Sequence, residues 1–364
     1  MASTLEQITK KVDRKASEQC NIPVMMISCG NGFILQSEKY SKDNAGHSLQ
    51  KYTLLKKGEL AYNHGASKTK PFGVCYVLKE RDEALVPFVY HCFAITNGIP
   101  KYWNHSLNTE QMDHQLKRIV SSGARMDGLL NISYQTYMSV KVYVPTDNEQ
   151  QKIADFIDLL DQRIDTQSKI IEKYESLIST IRTNIFSSFQ GRWTKLCDLV
   201  ENKSLQLNRG NIIPKHPKDD VYKYPVYSSS VQKDGLMGYS DYYMFDKELI
   251  TWSIDGGGDI FFREKHKFCV TNVCGILQLD TNKFSYRFVA EALKYQHSKM
   301  TFDYQTKAHP SVVEKLYSLP DIELNEQNKY SKLFEVLYSK LSNEQKYLEI
   351  IKEQKKYLLS NMFI

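Results

Sequence analysis

The tightest grouping of potentially reactive residues in this chain of 364 residues is Asp255-Gly256-Gly257-Gly258-Asp259, two carboxylates around three conformationally free positions. Such a run reads as a flexible turn between two strands, with a metal- or phosphate-holding loop as the alternative. No other stretch assembles a catalytic set. The sequence contains no GxxxxGKS/T for a nucleotide phosphate, no GxGxxG, no HExxH and no Asn/Asp-Pro-Pro-aromatic run for methylation of base amino groups. Its nine histidines lie apart from any obvious Ser/Asp or Cys partner. The seven cysteines form no CxxC or Cys/His cluster and read as reduced, half-buried thiols. We therefore expect no catalysis by this chain alone, no metal and no cofactor.

Binding loops are better candidates, because base edges are read by short polar side chains and phosphates by Lys, Arg and backbone N–H groups. In the first part of the chain these are Ser28, Asn31, Tyr62-Asn63-His64, Ser67-Lys68-Thr69-Lys70 and Arg125. In the second they are Tyr227-Ser228-Ser229-Ser230, Lys233, Tyr239, the loop of Gly257 with Arg263, and Lys307 with His309. Each has an ordinary solvated loop as its alternative reading. A net charge of +6 permits a polyanionic partner without demanding one, and 24 tyrosines suit β-rich domains and wet binding surfaces.

The elements that must position these loops are set out by an internal repeat. Asn148-Glu149-Gln150-Gln151-Lys152 opens one long amphipathic segment and Asn325-Glu326-Gln327-Asn328-Lys329 opens another, at an offset of 177 residues that holds to the chain end. A period this long excludes solenoids and propellers, whose units run to roughly 20–50 residues, and indicates duplication of a whole module. Apolar positions in the first segment fall at Ile153, Ile157, Leu160, Ile164, Gln167, Ile171, Tyr174, Ile178, Ile181 and Ile185, in steps of four and three. Adding the offset gives Tyr330, Phe334, Leu337, Leu341, Glu344, Leu348, Ile351, Lys355, Leu358 and Met362. That alternation specifies a coiled-coil seam. Gln167 and Glu344 are polar at equivalent places and are expected to fix the register at the centre of an antiparallel pair, with Leu160 near Ile351 and Tyr174 near Leu337. Asp147 or Asn148 is the expected N-cap of the first helix. About 58 Å of helix, at ~1.5 Å per residue, exceeds the roughly 34 Å of one DNA turn.

The fold expected is α+β: two mixed α/β globules separated by two long helices in an antiparallel coiled coil, related by a pseudo-twofold repeat. We place the first globule at 1–145, the first helix at 146–190, the second globule at 191–322 and the second helix at 323–364. Strands are expected at Val24–Ile27, Glu59–Tyr62, Gly73–Leu78, Tyr224–Tyr227, Glu248–Trp252 and Val273–Leu277, and shorter helices at Asn108–Ser121 and Ser285–His297. No apolar run approaches the roughly 20 residues of a membrane span and no signal peptide opens the chain, so a cytoplasmic protein is expected.

The helix from Asn148 to Ser188, with a proline, a short loop and then Glu-Gln-x-Lys-Ile, resembles the central conserved helix of the specificity subunits of type I restriction-modification systems. Arg192-Trp193-Thr194-Lys195-Leu196 resembles the opening of a target recognition domain, and Tyr224-Pro225-Val226-Tyr227 through Gly238-Tyr239 its first loop region. The resemblance implies two target recognition domains on one duplex at a split site, with helices that set the unread spacer and dock two modification subunits carrying the S-adenosylmethionine and adenine-methylation chemistry. Restriction subunits would join that core. Thr4-Leu5 matches Lys195-Leu196, but nothing corresponds to Phe189-Gln190-Gly191-Arg192-Trp193, a departure from the family pattern at that end. Because the globules differ in sequence, the target is expected to be asymmetric. The competing reading is a non-enzymatic coiled-coil scaffold or an orphan DNA-binding protein without restriction partners.

Overall fold

A computed structural model describes residues 2–15, 22–39, 50–65, 67, 70–120, 130–230, 232–255, 259–300 and 308–363. The chain forms two compact units, Met1–Gln167 with Tyr347–Ile364, and Ser168–Lys346.

In the first unit, β1 (Ala2–Thr4), β2 (Thr9–Lys11), β3 (Met25–Ser28) and β4 (Gly32–Leu35) lead to the short helix α1 (Gln36–Lys39). Then come β5 (Thr53–Lys56), β6 (Leu60–Asn63), β7 (Val74–Val77), β8 (Glu83–Val86), β9 (His91–Ile95), α2 (Pro100–Ser106), α3 (Glu110–Ile119), α4 (Tyr134–Met138) and β10 (Lys141–Tyr143). Strands β2-β9-β6-β7 form an antiparallel sheet, while β1–β10, β3–β4 and β5–β8 are separate antiparallel pairs. Successive strand residues point to opposite faces. Leu60 and Tyr62 accordingly enter a core with Phe93, Trp103 and Tyr137, whereas Ala61 enters a second with Ile27, Leu55 and Cys92.

The long helix α5 (Asp147–Ser188) follows. Its cap is neither Asp147 nor Asn148. Thr146 and Glu149 form a capping box, the Thr146 N–H and hydroxyl donating to the Glu149 carboxylate at 2.9 and 2.8 Å. Thr146 takes this place because Glu149 turns back to its N–H and hydroxyl, while Gln150, three residues after Asp147, is taken up by Ile99 N–H and Pro145 O.

The second unit contains β11 (Trp193–Lys195), α6 (Leu196–Glu201), β12 (Leu205–Arg209), β13 (Tyr224–Tyr227), β14 (Leu236–Ser240), β15 (Phe245–Ser253), β16 (Ile260–Val270), β17 (Cys274–Leu279), α7 (Tyr286–His297), α8 (Pro310–Leu316) and β18 (Ser318–Pro320). Six strands form one sheet in the order β12-β17-β15-β16-β13-β14, in which β13 and β16 are parallel. Helix α7 is buried against this sheet through Phe288, Val289, Ala292 and Leu293. The two globules therefore share little beyond a frame. Their common element is a two-stranded pair whose register keeps the repeat: Ala2 faces Tyr143 as Trp193 faces Pro320.

The last helix, α9 (Leu324–Met362), packs against α5 within each unit. In the second unit Ile178 joins Phe334, Leu337 and Leu341, with Tyr174 beside them, so late residues of α5 meet early residues of α9. In the first unit Asp161 pairs with Lys355 and Arg163 lies over the Tyr347 ring at 5.2 Å. The pair is antiparallel, and none of the twenty seam residues is exposed. Gln167 is buried at 5 % exposure, and the seam lysine Lys355 is matched by Asp161.

One repeated side chain ties each globule to its helix. Gln150 is fully buried; its Oε1 accepts from Ile99 N–H at 2.9 Å and its Nε2 donates to Pro145 O at 3.0 Å. Gln327, its counterpart, accepts from Ser285 N–H at 3.0 Å and donates to Lys283 O and Ile322 O at 3.0 and 2.8 Å. Gly98, at φ +116°, is required beside Gln150, because a Cβ there would stand 2.6 Å from the amide oxygen.

Two stability predictions follow from this packing. Gln327→Ala leaves three part-buried backbone groups without their side-chain partner and should cost about 3 kcal/mol, at about 1 kcal/mol for each bond lost; an unchanged urea midpoint would refute the role given to this glutamine. Trp193 packs between Phe186 and Tyr295, while at the equivalent Ala2 a cavity of about 230 Å³ opens among Tyr102, Leu107, Met112, Val142 and Phe363. Ala2→Trp should fill it and raise Tm by about 2–4 °C, for a gain of about 1 kcal/mol. A lowered or unmoved Tm counts against the equivalence.

Candidate nucleic-acid interface

In the second unit, the proposed reading residues converge where β13 ends beside β16. Ser228 follows β13 directly; its N–H donates to Gly235 O at 2.8 Å and its hydroxyl meets that of Thr271 at 3.1 Å. The bond to Gly235 closes a loop that carries Ser229, Ser230 and Lys233, and Gly235 itself sits at φ +82°. Ser230 Oγ accepts from Gln232 N–H at 3.1 Å, and Ser229 O accepts from the Ser253 hydroxyl at 3.0 Å. Tyr239 pairs with Pro225 across β13–β14, and the Lys218 ammonium lies 5.6 Å from its ring centroid.

Arg263 is the centre of this group. It is only 4 % exposed, its Nε donates to Thr251 Oγ1 at 3.0 Å, and its guanidinium carbon lies 3.8 Å from the Tyr227 ring centroid and 4.7 Å from that of Phe261. Its Nη2 has no hydrogen-bond partner. Burial lowers the guanidinium from its usual value, against the opposing influence of Tyr227, Cys274 and Asp234. Burial likewise raises the Tyr227 phenol above its usual range despite Arg263, so it remains a neutral hydroxyl, 3.1 Å from His266 Nε2. This arrangement offers a cation, small hydroxyls and a loop edge, which suits nucleic-acid contact, and among the described residues it pairs no nucleophile with a base.

His309 has another occupation. As the residue capping α8, its Nδ1 accepts from Ser311 N–H at 3.4 Å and contacts the Ser311 hydroxyl at 2.9 Å. Gly257 and Lys307 lie outside the described residues, as do Lys68 and Arg125 of the first unit.

In the first unit, Ser28 and Asn31 belong to the β3–β4 turn, where Asn31 N–H donates to Ser28 O at 3.1 Å and Gly30 N–H to the Tyr76 hydroxyl at 3.0 Å. Asn63 and Lys70 flank a different loop. Asn63 Oδ1 accepts from Gly65 N–H at 3.0 Å and Lys70 Nζ donates to Asn108 O at 3.0 Å. His64, between them in sequence, is turned inward at 5 % exposure. Its ring nitrogens face Leu130 O at 2.9 Å and Val89 O at 2.8 Å, and it stacks on His91 with centroids 5.0 Å apart. With both nitrogens turned to backbone carbonyls and the ring buried, it presents neither to a base edge, so its placement in the reading set is corrected to a core role. Burial pushes the stacked His91 down to about 4, with smaller contributions from His64 and Lys11.

The sequence reading missed Thr251, which bonds Arg263 from the neighbouring strand β15, and Ser253, His266 and Thr271, which meet Ser229, Tyr227 and Ser228 at the end of β13, a strand set beside β16 by non-consecutive pairing. A run of strand residues carries no local sign of which neighbour it will face. Among the described residues one group has metal-ligand chemistry, His105, Asp158 and Asp161. Lysines already satisfy it: Lys101 Nζ lies 2.8 Å from Asp158, and Lys355 pairs with Asp161. Burial works to raise the Asp158 carboxyl, yet Lys101 and His105 outweigh it and hold it below the usual range. The group acts as an ion-pair anchor of α2 on α5.

Comparison with known proteins places these features. Residues 194–353 match the family model of the type I restriction modification DNA specificity domain. A putative type I specificity subunit of Mycoplasma pneumoniae is 32% identical over 149 residues, covering 38% of this chain and 46% of that protein. The type I restriction enzyme MpnII specificity subunit of the same organism is 28% identical over 147 residues, 38% of this chain and 42% of that one. The chain thus spans about half the length of the curated relatives it matches. The crystal structure of a type I restriction-modification S subunit from M. genitalium superposes over all of this chain and 96% of that one, with a TM-score of 0.63 and 16% identity, a likeness of fold. Residues 194–353 thus match the type I restriction modification DNA specificity domain, part of the chain is similar in sequence to type I specificity subunits, and its fold is like that of a solved S subunit.

Proposed function

We propose that this chain is the non-catalytic specificity subunit of a type I restriction-modification complex, reading an asymmetric, split site in double-stranded DNA through its two globules. The observation that carries the reading is the contrast between frame and cargo. Both globules are fixed to equivalent helices by the same buried glutamine, while the sheets they present differ, with four strands in one and six in the other. Two different readers on a duplicated mount suit two different half-sequences. Residues 1–145 and 191–322 would be the target recognition domains, and 146–190 and 323–364 the conserved helices between them. The reading loops would be those of Ser28 and Asn31, of Asn63 and Lys70, and of Tyr227 to Lys233 with Tyr239 and Arg263. Restriction subunits would add to this core. Among the described residues no helix is long and apolar enough to cross a membrane.

Two methyltransferase subunits would dock on the helices. Phe156 and Leu159 on α5 are 43% and 62% exposed, and their repeat counterparts on α9, Leu333 and Val336, are 42% and 48% exposed. Apolar pairs one helical turn apart, repeated at the same place in each half, fit two copies of one partner.

Adenine methylation mapped across the host genome, with and without this gene and beside its modification subunit, should lose a single split, asymmetric motif on deletion. An unchanged map, or identical half-sequences on either side of the spacer, would sink the reading. Separately, Leu159→Asp and Val336→Asp should each reduce the bound methyltransferase subunits from two to one in native mass spectrometry; two retained by both variants would remove these patches from the docking surface.

A further inference from the structure

A groove of about 530 Å³ opens in the second unit between β16, α7 and the seam helices, lined by Arg182, Arg263, Arg287, Lys294, Phe262 and Tyr338 among others. The charges set into it do not balance. Arg263 and Arg287 are 4 % and 7 % exposed, and the Arg182 and Lys294 side chains 15% and 24%, against one buried carboxylate, Glu291 at 0 %. The other acids of the lining, Glu175, Asp234 and Glu264, are exposed; Glu264 accepts from Arg287 Nη2 at 3.4 Å, but its side chain is 81% exposed, so water screens that pair. A buried cation without a buried counter-charge is costly, and the cost is relieved when an anion enters.

The hydrogen-bond inventory singles out the same two arginines. Arg182 Nε donates to Glu291 Oε2 at 2.7 Å and its Nη2 to the Tyr338 hydroxyl at 3.0 Å, so Arg182 is occupied. Burial works against the Arg182 charge, but Glu291 and Tyr338 more than offset it and hold the group above its usual value. Arg263 Nη2 and Arg287 Nε, by contrast, are buried donors with no partner. Both guanidinium groups are held flat by aromatic faces, Arg263 by Tyr227 and Phe261, and Arg287 by Phe262 at 3.8 Å and Tyr338 at 4.9 Å. A planar guanidinium clamped in this way is preorganised for the oxygens of a tetrahedral anion. Among the described residues, β16 is laddered to β15 along this stretch but meets β13 only at Cys269 and Val270, which leaves its other edge open over Phe261 to Glu264.

The repeat supplies an independent observation. A groove of about 450 Å³ in the first unit uses five helix positions that coincide, at the 177-residue offset, with those of the second, Lys355 standing for Ile178 and Leu359 for Arg182. It too is rich in cations, with Lys70, Lys352, Lys355 and Lys356 against Glu110 and Asp161. The positions of the cations differ while their preponderance persists, so a basic groove recurs without the same residues being inherited.

We propose that the groove of the second unit is a phosphate-binding site in which Arg263 and Arg287 grip a phosphodiester of the DNA backbone next to the reading loop. The identity of the phosphate as DNA rests on the function proposed above; the anion site itself does not. Arg263 would couple the two tasks, since its guanidinium also stacks on Tyr227 at the start of that loop.

The test uses the full chain in two arms. In fluorescence anisotropy, Arg263→Gln and Arg287→Gln should each weaken binding about tenfold to target and unrelated duplexes alike, and lower the slope of log Kd against log salt by about one. Arg287→Lys should recover part of the loss. In the second arm, pyrophosphate should raise the Tm of the unsubstituted chain, which needs no variant to fold, and should not raise that of Arg287→Gln. If the DNA arm is flat while pyrophosphate still stabilises, the site stands and its phosphate comes from a free anion. If the unsubstituted chain binds no duplex but responds to pyrophosphate, the DNA reading fails and the site survives. Unchanged DNA affinity and salt slope together with no pyrophosphate response overturn the proposal.

Discussion

Everything in this architecture depends on how a buried glutamine closes the joint between a globule and its helix. At each joint the chain turns abruptly from a strand end into a helix of about forty residues, after Pro145 in one repeat and at Ile322 in the other, and the turn leaves backbone groups facing inward. An apolar side chain there would fill the space but leave a part-buried carbonyl and N–H without a protein partner, at about 1 kcal/mol each. An amide carries both a donor and an acceptor at the end of a side chain of suitable length, and Gln150 and Gln327 use both. Because their partners are backbone atoms, the joint imposes geometry without dictating the identity of the residues it holds.

The same distinction explains what the sequence made legible. The seam could be read because a coiled coil depends on a local spacing of three and four, and every one of its twenty positions turns inward. Strand β13 and helix α7 fell close to expectation because their alternation or periodicity is confined to a few neighbouring residues. The six-stranded order of the second unit was not legible, since β12 beside β17 and β13 parallel to β16 are long-range choices that leave no local trace. His64 was misplaced for a related reason. A polar residue after a strand, flanked by Asn63 and Gly65, has the local character of a binding loop, and only the carbonyls of Val89 and Leu130 show that it is turned inward.

Arg263 was placed among the binding candidates from its loop company, whereas its burial left no local trace in the sequence. In water an exposed arginine contributes charge and little order. Stacked on Tyr227 and Phe261 with one nitrogen bound to Thr251, it loses side-chain freedom before any ligand arrives, so a ligand meets a donor already aimed. The arrangement sacrifices stability, because an unpartnered buried donor is retained in the folded chain. Local rules of folding are most often broken where a protein acts, and here the breach lies beside the loop of Ser228 to Gly235.

The two basic grooves extend this argument to the asymmetry of the molecule. In the second unit the cations are mainly arginines held by aromatic rings, a rigid and planar grip. In the first they are lysines, of which Lys355 and Lys356 already face Asp161 and Glu110. A lysine is a mobile point charge and follows a phosphate over a range of positions; a clamped guanidinium accepts far fewer. On the function proposed above, the duplicated frame would give one tolerant and one exacting hold on a polyanion. Such a difference would set register from one end and accommodate variation at the other, the division of labour that a split, asymmetric site would use.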